Sequence, residues 1–438
     1  MEFEDGKQRS TRVDISLFFL SIVHHGARCM SCSMIATMYR SANKVKGPCQ
    51  LLLALIVFTV TACSSNPAST PATGKALKHH ARSVPAPAAV DATPALNLNE
   101  AFDLGSIIPA LADKRVVFIG EIHNRYEHHL TQLEIIRQLH ALHPRLAIGM
   151  EAFQQPFQRY LDAYIAGELS EGELLRNSEY YQRWRFDFRH YAPILRFARE
   201  HQLPVIALNL PAELTKKAGR IGIEALSAAD KAAIPTDIDR SDAAYEARLR
   251  DVFDQHPHRE DQSFDKFLDV QLLWDEGMAE RAANYLKAHP EYHLVVLAGG
   301  GHLAYGSGIP QRLQRRQPVD AAIVLNSWDS SDLHPDLADF LLLPEQQVLP
   351  AAGKMGLMIN DENGELEVLS CKHDSPCAEH GIKPGDVIAT INAEPVASVA
   401  DLRLIMWDKK PGDRLTLKIH RKRWFSGVKD MSVDIELK

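Results

Sequence analysis

Two acids and two imidazoles stand where apolar runs stop. Arg115 to Ile119 gives way to Gly120-Glu121-Ile122-His123, His293 to Ala298 gives way to Gly299-Gly300-Gly301-His302, and Leu146 to Met150 runs straight into Glu151. Side chains at the carboxyl ends of neighbouring parallel strands converge on one crevice while the sheet behind holds them. A carboxylate of fixed charge beside an imidazole that titrates near neutral pH is the equipment of general acid–base catalysis. Glu121, His123, Glu151 and His302 therefore form a candidate rim constellation, directed at water or at a bound cofactor. No HExxH or comparable local zinc spacing occurs, so a metal would need ligands from separate strands. His128 and His129 fall in what reads as a first helical turn and are expected on a solvated face. Asp275 shares a helical face with Met278 and Ala279 and is its odd polar member.

The elements that must position these residues alternate. Strand patterns at Arg115 to Ile119, Leu146 to Met150, Pro204 to Leu208, His293 to Leu297 and Ala321 to Leu325 are separated by helical patterns. The helices are expected at Glu127 to Leu142, Pro156 to Ala166, Tyr191 to His201 and Ser263 to Ala288. Such alternation specifies an α/β body over residues 96–345, with a mainly parallel sheet flanked by helices on both faces. At 438 residues and 45% apolar composition the chain exceeds one domain and suffices for packed cores. Its net charge is −7, and residues 1–62 carry a surplus of three positive charges, which leaves −10 on the remainder. No nucleic-acid partner is expected of such a surface.

The N-terminal region reads as an export signal. Arg40, Lys44 and Lys46 precede the short apolar run Leu51 to Val60, and Val60-Thr61-Ala62 places small residues before Cys63. That run is too short to span a bilayer as a mature helix, which favours a processed lipoprotein signal with Cys63 as the lipidated first residue. Residues 1–62 are then the signal region. Within it, residues 1–37 precede the expected start at Met38 and read as a misassigned beginning. Ser64, rather than Asp, after the cysteine leans toward an outer-membrane lipoprotein facing the periplasm or the surface. Residues 63–95, rich in Ser, Pro, Ala and Thr, read as a tether. Cys29, Cys32 and Cys49 lie ahead of Cys63; Cys371 and Cys377 remain, either bridged or as separate thiols.

Four strings in series carry a resemblance: Val117-Phe118-Ile119-Gly120-Glu121-Ile122-His123, Ala207-Leu208-Asn209-Leu210-Pro211, Gln271 to Ala279, and Gly301-His302-Leu303-Ala304-Tyr305-Gly306-Ser307-Gly308-Ile309-Pro310. Together they resemble the ChaN-like haem-binding lipoproteins over roughly Leu98 to Glu345. The resemblance implies a lipoprotein of iron uptake or homeostasis that binds haem, with a tyrosine on the iron and two subunits in a homodimer holding haems face to face. Tyr305, on a glycine-rich turn beside His302, and Tyr191, beside Trp184, Phe186, Phe188 and His190, are the two candidates for that ligand. Tyrosinate suits ferric iron, and a nearby Arg or His can lower a phenol pKa. His302 and Arg189 complete the candidate cofactor contacts, the arginine toward a propionate. Glu121, His123, Glu151 and His302 are also similar to the site of the erythromycin esterases and the TraB and Tiki-like proteins. That likeness implies the alternative of a metal-assisted or histidine-based periplasmic hydrolase.

After a joint near Pro344 to Lys354, residues 351–438 form a second unit. Lys354-Met355-Gly356-Leu357-Met358-Ile359, the string Ser375-Pro376 through Gly381-Ile382-Lys383-Pro384-Gly385-Asp386-Val387-Ile388, and Leu415 to Arg421 resemble a bacterial PDZ domain. The resemblance implies a small β-rich fold that binds a peptide of a protein partner by strand addition, with Met355, Gly356, Leu357 and Met358 as its peptide-binding positions. No GxSxG or serine-protease triad accompanies it.

Overall fold

A computed structural model describes residues 103–255, 263–327, 334, 336–423 and 427–438, the side chain of residue 423 apart. The expected signal, Cys63 and the tether lie outside the described residues. Both sheets fall within one compact unit.

The first sheet contains β1 (Val116–Glu121), β2 (Leu146–Gln154), β3 (Val205–Asn209), β4 (His293–Gly299), β5 (Ala321–Asn326) and β6 (Phe340–Leu342). Their order is β3-β2-β4-β1-β5-β6, and every pairing is parallel. β1, β2 and β3 are buried at every residue, because helices cover both faces. That double coverage is why the sequence shows continuous apolar runs rather than alternation. One face buries Val117, Ile119, Ile148, Met150 and Val295 against the helices Tyr126–Leu142 and Ala192–Glu200. The other buries Val116, Phe118, Ala147, Val296 and Ala298 against Met278, Ala279, Ala282 and Ala283 of the helix Phe264–Ala288. Each such large apolar side chain contributes roughly 1.5–3 kcal/mol by leaving water.

The helix Phe264–Ala288 starts where Ser263 accepts from the backbone N–H of Lys266, an N-cap that agrees with the expected boundary. β2 runs past its expected end to Gln154, with a register shift between Met150 and Gln154 where it pairs β3. β6 was not legible: three half-buried residues are too few to show a period.

The second sheet is antiparallel, ordered β12-β11-β9-β8-β7, with β10 pairing β9. Its strands are β7 (Leu357–Asn360), β8 (Leu366–Cys371), β9 (Asp386–Ile391), β10 (Glu394–Pro395), β11 (Arg414–Arg423) and β12 (Gly427–Glu436). They enclose Leu366, Val368, Ile388, Leu417 and Ile435. Cys371 and Cys377 are joined as a disulfide, with Cα atoms 5.6 Å apart. The helix Val399–Met406 opens on a capping box between Ser398 and Asp401. It serves two cores at once: Val399, Leu402, Ile405 and Met406 pack on the second unit, while Ala400, Leu404 and, just beyond its end, Trp407 pack on the first.

Candidate functional site

β2, β4 and β1 are neighbours, and their register aligns Met150 with Leu297 and Glu121 with Gly299. Glu121, Glu151 and the turns carrying His123 and His302 therefore leave the sheet side by side. The four candidate rim residues come together.

Glu121 is buried, and its carboxylate is ringed by donors. His123 Nδ1 lies 2.8 Å from Oε1, the Tyr191 hydroxyl donates to the same oxygen at 2.7 Å, and His129 Nδ1 lies 2.9 Å from Oε2. Burial alone would raise this carboxyl, but the facing imidazoles of His129 and His123 outweigh it and hold Glu121 well below the ordinary carboxylate range. On the neighbouring strand end, Glu151 Oε2 accepts from the Gly299 amide at 2.7 Å, and Oε1 lies 3.5 Å from His302 Nε2. His302 Nδ1 meets Asp275 Oδ1 at 2.6 Å, and the Tyr245 hydroxyl donates to Asp275 Oδ2 at 2.6 Å. Burial would lower His302, yet Asp275 and Glu151 raise it to about 9, so it is an imidazolium at neutral pH. His123 is also raised: burial opposes its charging, while Glu121 and Glu151 favour it and His302 works against it.

Glycine makes this approach possible at two places. A Cβ on Gly299 would stand 3.0 Å from His123 Cε1 and 3.6 Å from Glu151 Oε2. On Gly308 it would stand 2.0 Å from the His302 carbonyl oxygen and 3.1 Å from Asp275 Oδ2. Trp184 meets the His123 ring edge-on with centroids 4.7 Å apart, and Phe186 meets it tilted at the same separation. Chemically the rim holds a fixed anion, an imidazole covered by Trp184 and Phe186, and a preformed cation–anion pair. Among the described residues no group of three or more His, Cys, Asp or Glu side chains is arranged to hold a metal ion.

Several expectations need correction. His128 and His129 are not on a solvated face but are 0% and 1% exposed. The backbone N–H of Ile122 donates to His128 Nδ1 at 3.1 Å, which folds the helix start back over the end of β1. Burial drives His128 down to about 4, so it is neutral at physiological pH. Asp275 is no mere core intruder but the partner of His302; its one sequence signal is an acid on an apolar helical face. Tyr191 lies in the body's core, 1% exposed, and burial with the Glu121 charge pushes its phenol well above 10. Arg189 is occupied by Asp187 and by the Pro350 carbonyl at 2.7 Å.

Tyr305 has a different setting. It is 38% exposed and lies on an open cleft of about 660 Å³, lined also by Asp242, Arg248, Ser307, Gln311 and His334. The Arg248 guanidinium lies 4.5 Å from its ring centroid and donates to Ser307 Oγ at 2.5 Å. Its backbone has φ of 61°, a left-handed conformation that costs a non-glycine residue about 1–3 kcal/mol. In the second unit, Met355 is buried in the core, Gly356 accepts from the Lys372 amide at 2.8 Å, and Leu357 and Met358 begin β7 at the sheet's edge. Met358 is 63% exposed.

A parallel sheet with an acid–imidazole rim, followed by an antiparallel peptide-binding type of β module, defines the class. Residues 107–313 match the family described as "Haem-binding uptake, Tiki superfamily, ChaN", and residues 353–437 match the PDZ domain; the body is a ChaN-like domain and the second unit a PDZ domain. Among curated proteins, the chain is 23% identical over 313 residues to protein RETICULATA-RELATED 5, chloroplastic, of Arabidopsis thaliana, covering 65% of this chain and 37% of that protein. It is 31% identical over 127 residues to a probable periplasmic serine endoprotease DegP-like of Brucella suis, covering 28% of this chain and 22% of that protein. The chain thus spans well under half the length of either relative. A solved structure described as cofacial heme binding to ChaN of Campylobacter jejuni is 17% identical, with a TM-score of 0.46, and covers 56% of this chain and 92% of that one. Among the described residues no helix is long and apolar enough to cross a membrane.

Proposed function

We propose that this protein is a haem-binding lipoprotein of the outer membrane, anchored through a lipid on Cys63 and serving iron uptake or homeostasis, with Tyr305 as the iron ligand. The reading is supported by the match of the body to a haem-binding family and, above all, by the exposure of Tyr305 on its cleft. A volume of about 660 Å³ lies within the roughly 300–1,000 Å³ typical of small-molecule and cofactor sites. The donor set suits the group: a phenol oxygen open to solvent is a hard ligand for ferric iron, and Arg248 offers a cation to a propionate. The rival candidates suit it less. An iron at Tyr191 would have to displace Glu121 from a closed core, and His302 as an imidazolium has no lone pair to give. An open cleft covers one face of a flat macrocycle, so a second copy of the chain in a homodimer supplies the other. The PDZ domain docks a protein partner whose chain end adds to β7 over Met355 to Met358.

Hemin titration of the full chain in detergent tests the assignment. A tyrosinate-type Soret band is expected, lost in Tyr305→Phe and kept in Tyr191→Phe; a band that survives Tyr305→Phe would overturn it. The hydrolase alternative draws on the convergence of Glu121, His123, Glu151 and His302. It expects turnover of some ester or peptide that His123→Ala removes without loss of hemin uptake, and a silent substrate panel would count against it.

A further inference from the structure

The segment Glu179–Tyr191 joins two places that the proposed haem site does not use. At its middle, Trp184 and Phe186 clasp the His123 ring, leaving its side chain 11% exposed. At its flanks it is gripped by the PDZ side of the chain. Phe188 meets Trp407 edge-on at 5.6 Å, Arg403 Nη1 donates to the Arg185 carbonyl at 2.5 Å, and Arg189 Nη1 donates to the Pro350 carbonyl at 2.7 Å. Arg176 adds an exposed ion pair with Glu394 at 2.9 Å, worth little by itself.

The backbone of this segment is strained where such a device would need it. Glu179 has φ of 51° and Arg185 φ of 71°, both left-handed and neither glycine. Each costs on the order of 1–3 kcal/mol and persists only where surrounding contacts insist on it. Arg185 is held at its carbonyl by Arg403, a PDZ residue, and at its amide by the Tyr180 carbonyl at 3.4 Å. The chain forms one short helix, Tyr180–Arg183, between the two strained residues, and a single 3-10 turn, Phe188–His190, after the second. Tyr180, Tyr181, Phe188 and Tyr191 are buried in the body's core and anchor both ends of the segment, whereas Trp184 and Phe186 between them are only half-buried.

We propose that Trp184–Asp187, the half-buried middle of this segment, is a lid over His123 whose closed position is set by the PDZ domain, so that a partner drawing the helix Val399–Met406 away uncovers the rim. The same helix packs one face on the PDZ core and the other on the body, which makes it a rigid piece that both share. Movement of that helix removes Trp407 from Phe188 and Arg403 from Arg185 together. The strain at Arg185 then relaxes by swinging Trp184 and Phe186 off the imidazole. The device stands on these contacts and not on which ligand the body takes.

Hydrogen exchange and diethyl pyrocarbonate labelling of the full chain, both mapped by mass spectrometry, test it. Arg403→Ala changes an exposed side chain and leaves the fold intact; Arg403→Ala with Trp407→Ala removes both grips. Amides of 184–187 are expected to exchange at least about tenfold faster in the double variant, with His123 acylated several-fold faster and β1 amides unchanged. His420→Ala, on the far hairpin of the PDZ sheet, is expected to match wild type. Wild-type exchange and labelling in the double variant would overturn the proposal. So would equal acceleration in β1, because the contact would then be a prop for the whole body rather than a latch.

Discussion

Replacing Asp275 by Asn isolates the charge that His302 depends on. Against the cost of burial, Asp275 and Glu151 raise His302 from 6.5 to about 9, which corresponds to about 3 kcal/mol favouring the charged imidazole in the folded state. Because the folded value is raised, that stabilisation is complete below pH 6.5 and is lost as pH climbs to about 9. Across this window the folded chain holds a proton that the unfolded chain has released, so stability falls by about 1.4 kcal/mol per pH unit. In Asp275→Asn the stronger of the two supporting charges is gone and Glu151, 3.5 Å away, must work alone against burial. The variant should be less stable than wild type by about 3–5 kcal/mol at pH 6, as for a broken buried pair, and the gap should narrow by about 2 kcal/mol by pH 8.5. Urea unfolding at four pH values measures the gap, in which contributions of other titrating groups cancel, and imidazole NMR follows His302 itself. A gap independent of pH would refute the reasoning, since the pair would then contribute packing but no proton linkage.

Other substitutions probe the same network. Tyr191→Phe withdraws one buried donor from Glu121 and should cost about 1–3 kcal/mol in chemical unfolding while leaving hemin uptake intact. Gly308→Ala forces a methyl onto the His302 carbonyl; because backbone must yield, a loss of about 2–4 kcal/mol and a shifted His302 resonance are expected. Glu276 is fully buried among Arg312, Arg315 and Arg316, so Glu276→Gln should remove the carboxylate facing the buried Arg312 and Arg316 and cost about 3–5 kcal/mol, visible as a lower thermal midpoint.

The alternation of the body was legible because a doubly covered parallel sheet needs unbroken apolar strands, and five of its six strands announce themselves that way. The gathering of Glu121, His123, Glu151 and His302 was legible as well, since strand ends in such a sheet converge by construction. Asp275, Tyr245 and His129 were not, for they reach the rim from helices whose rotation about their own axes depends on packing. His128 and His129 misled for the same reason: in an isolated helix they would face water, whereas here the Ile122 N–H meets His128 and the Glu121 carboxylate meets His129.

Sequence by itself determined the layered α/β body, the β-rich second unit and the identity of the acids and imidazoles at the strand ends, since each follows from local periodicity and chain order. Tertiary structure decided which of two tyrosines meets solvent, which acid charges His302, and that one PDZ helix serves two cores. Those outcomes depend on contacts between residues tens to hundreds of positions apart, where burial and facing charges, absent from any local pattern, set both exposure and protonation.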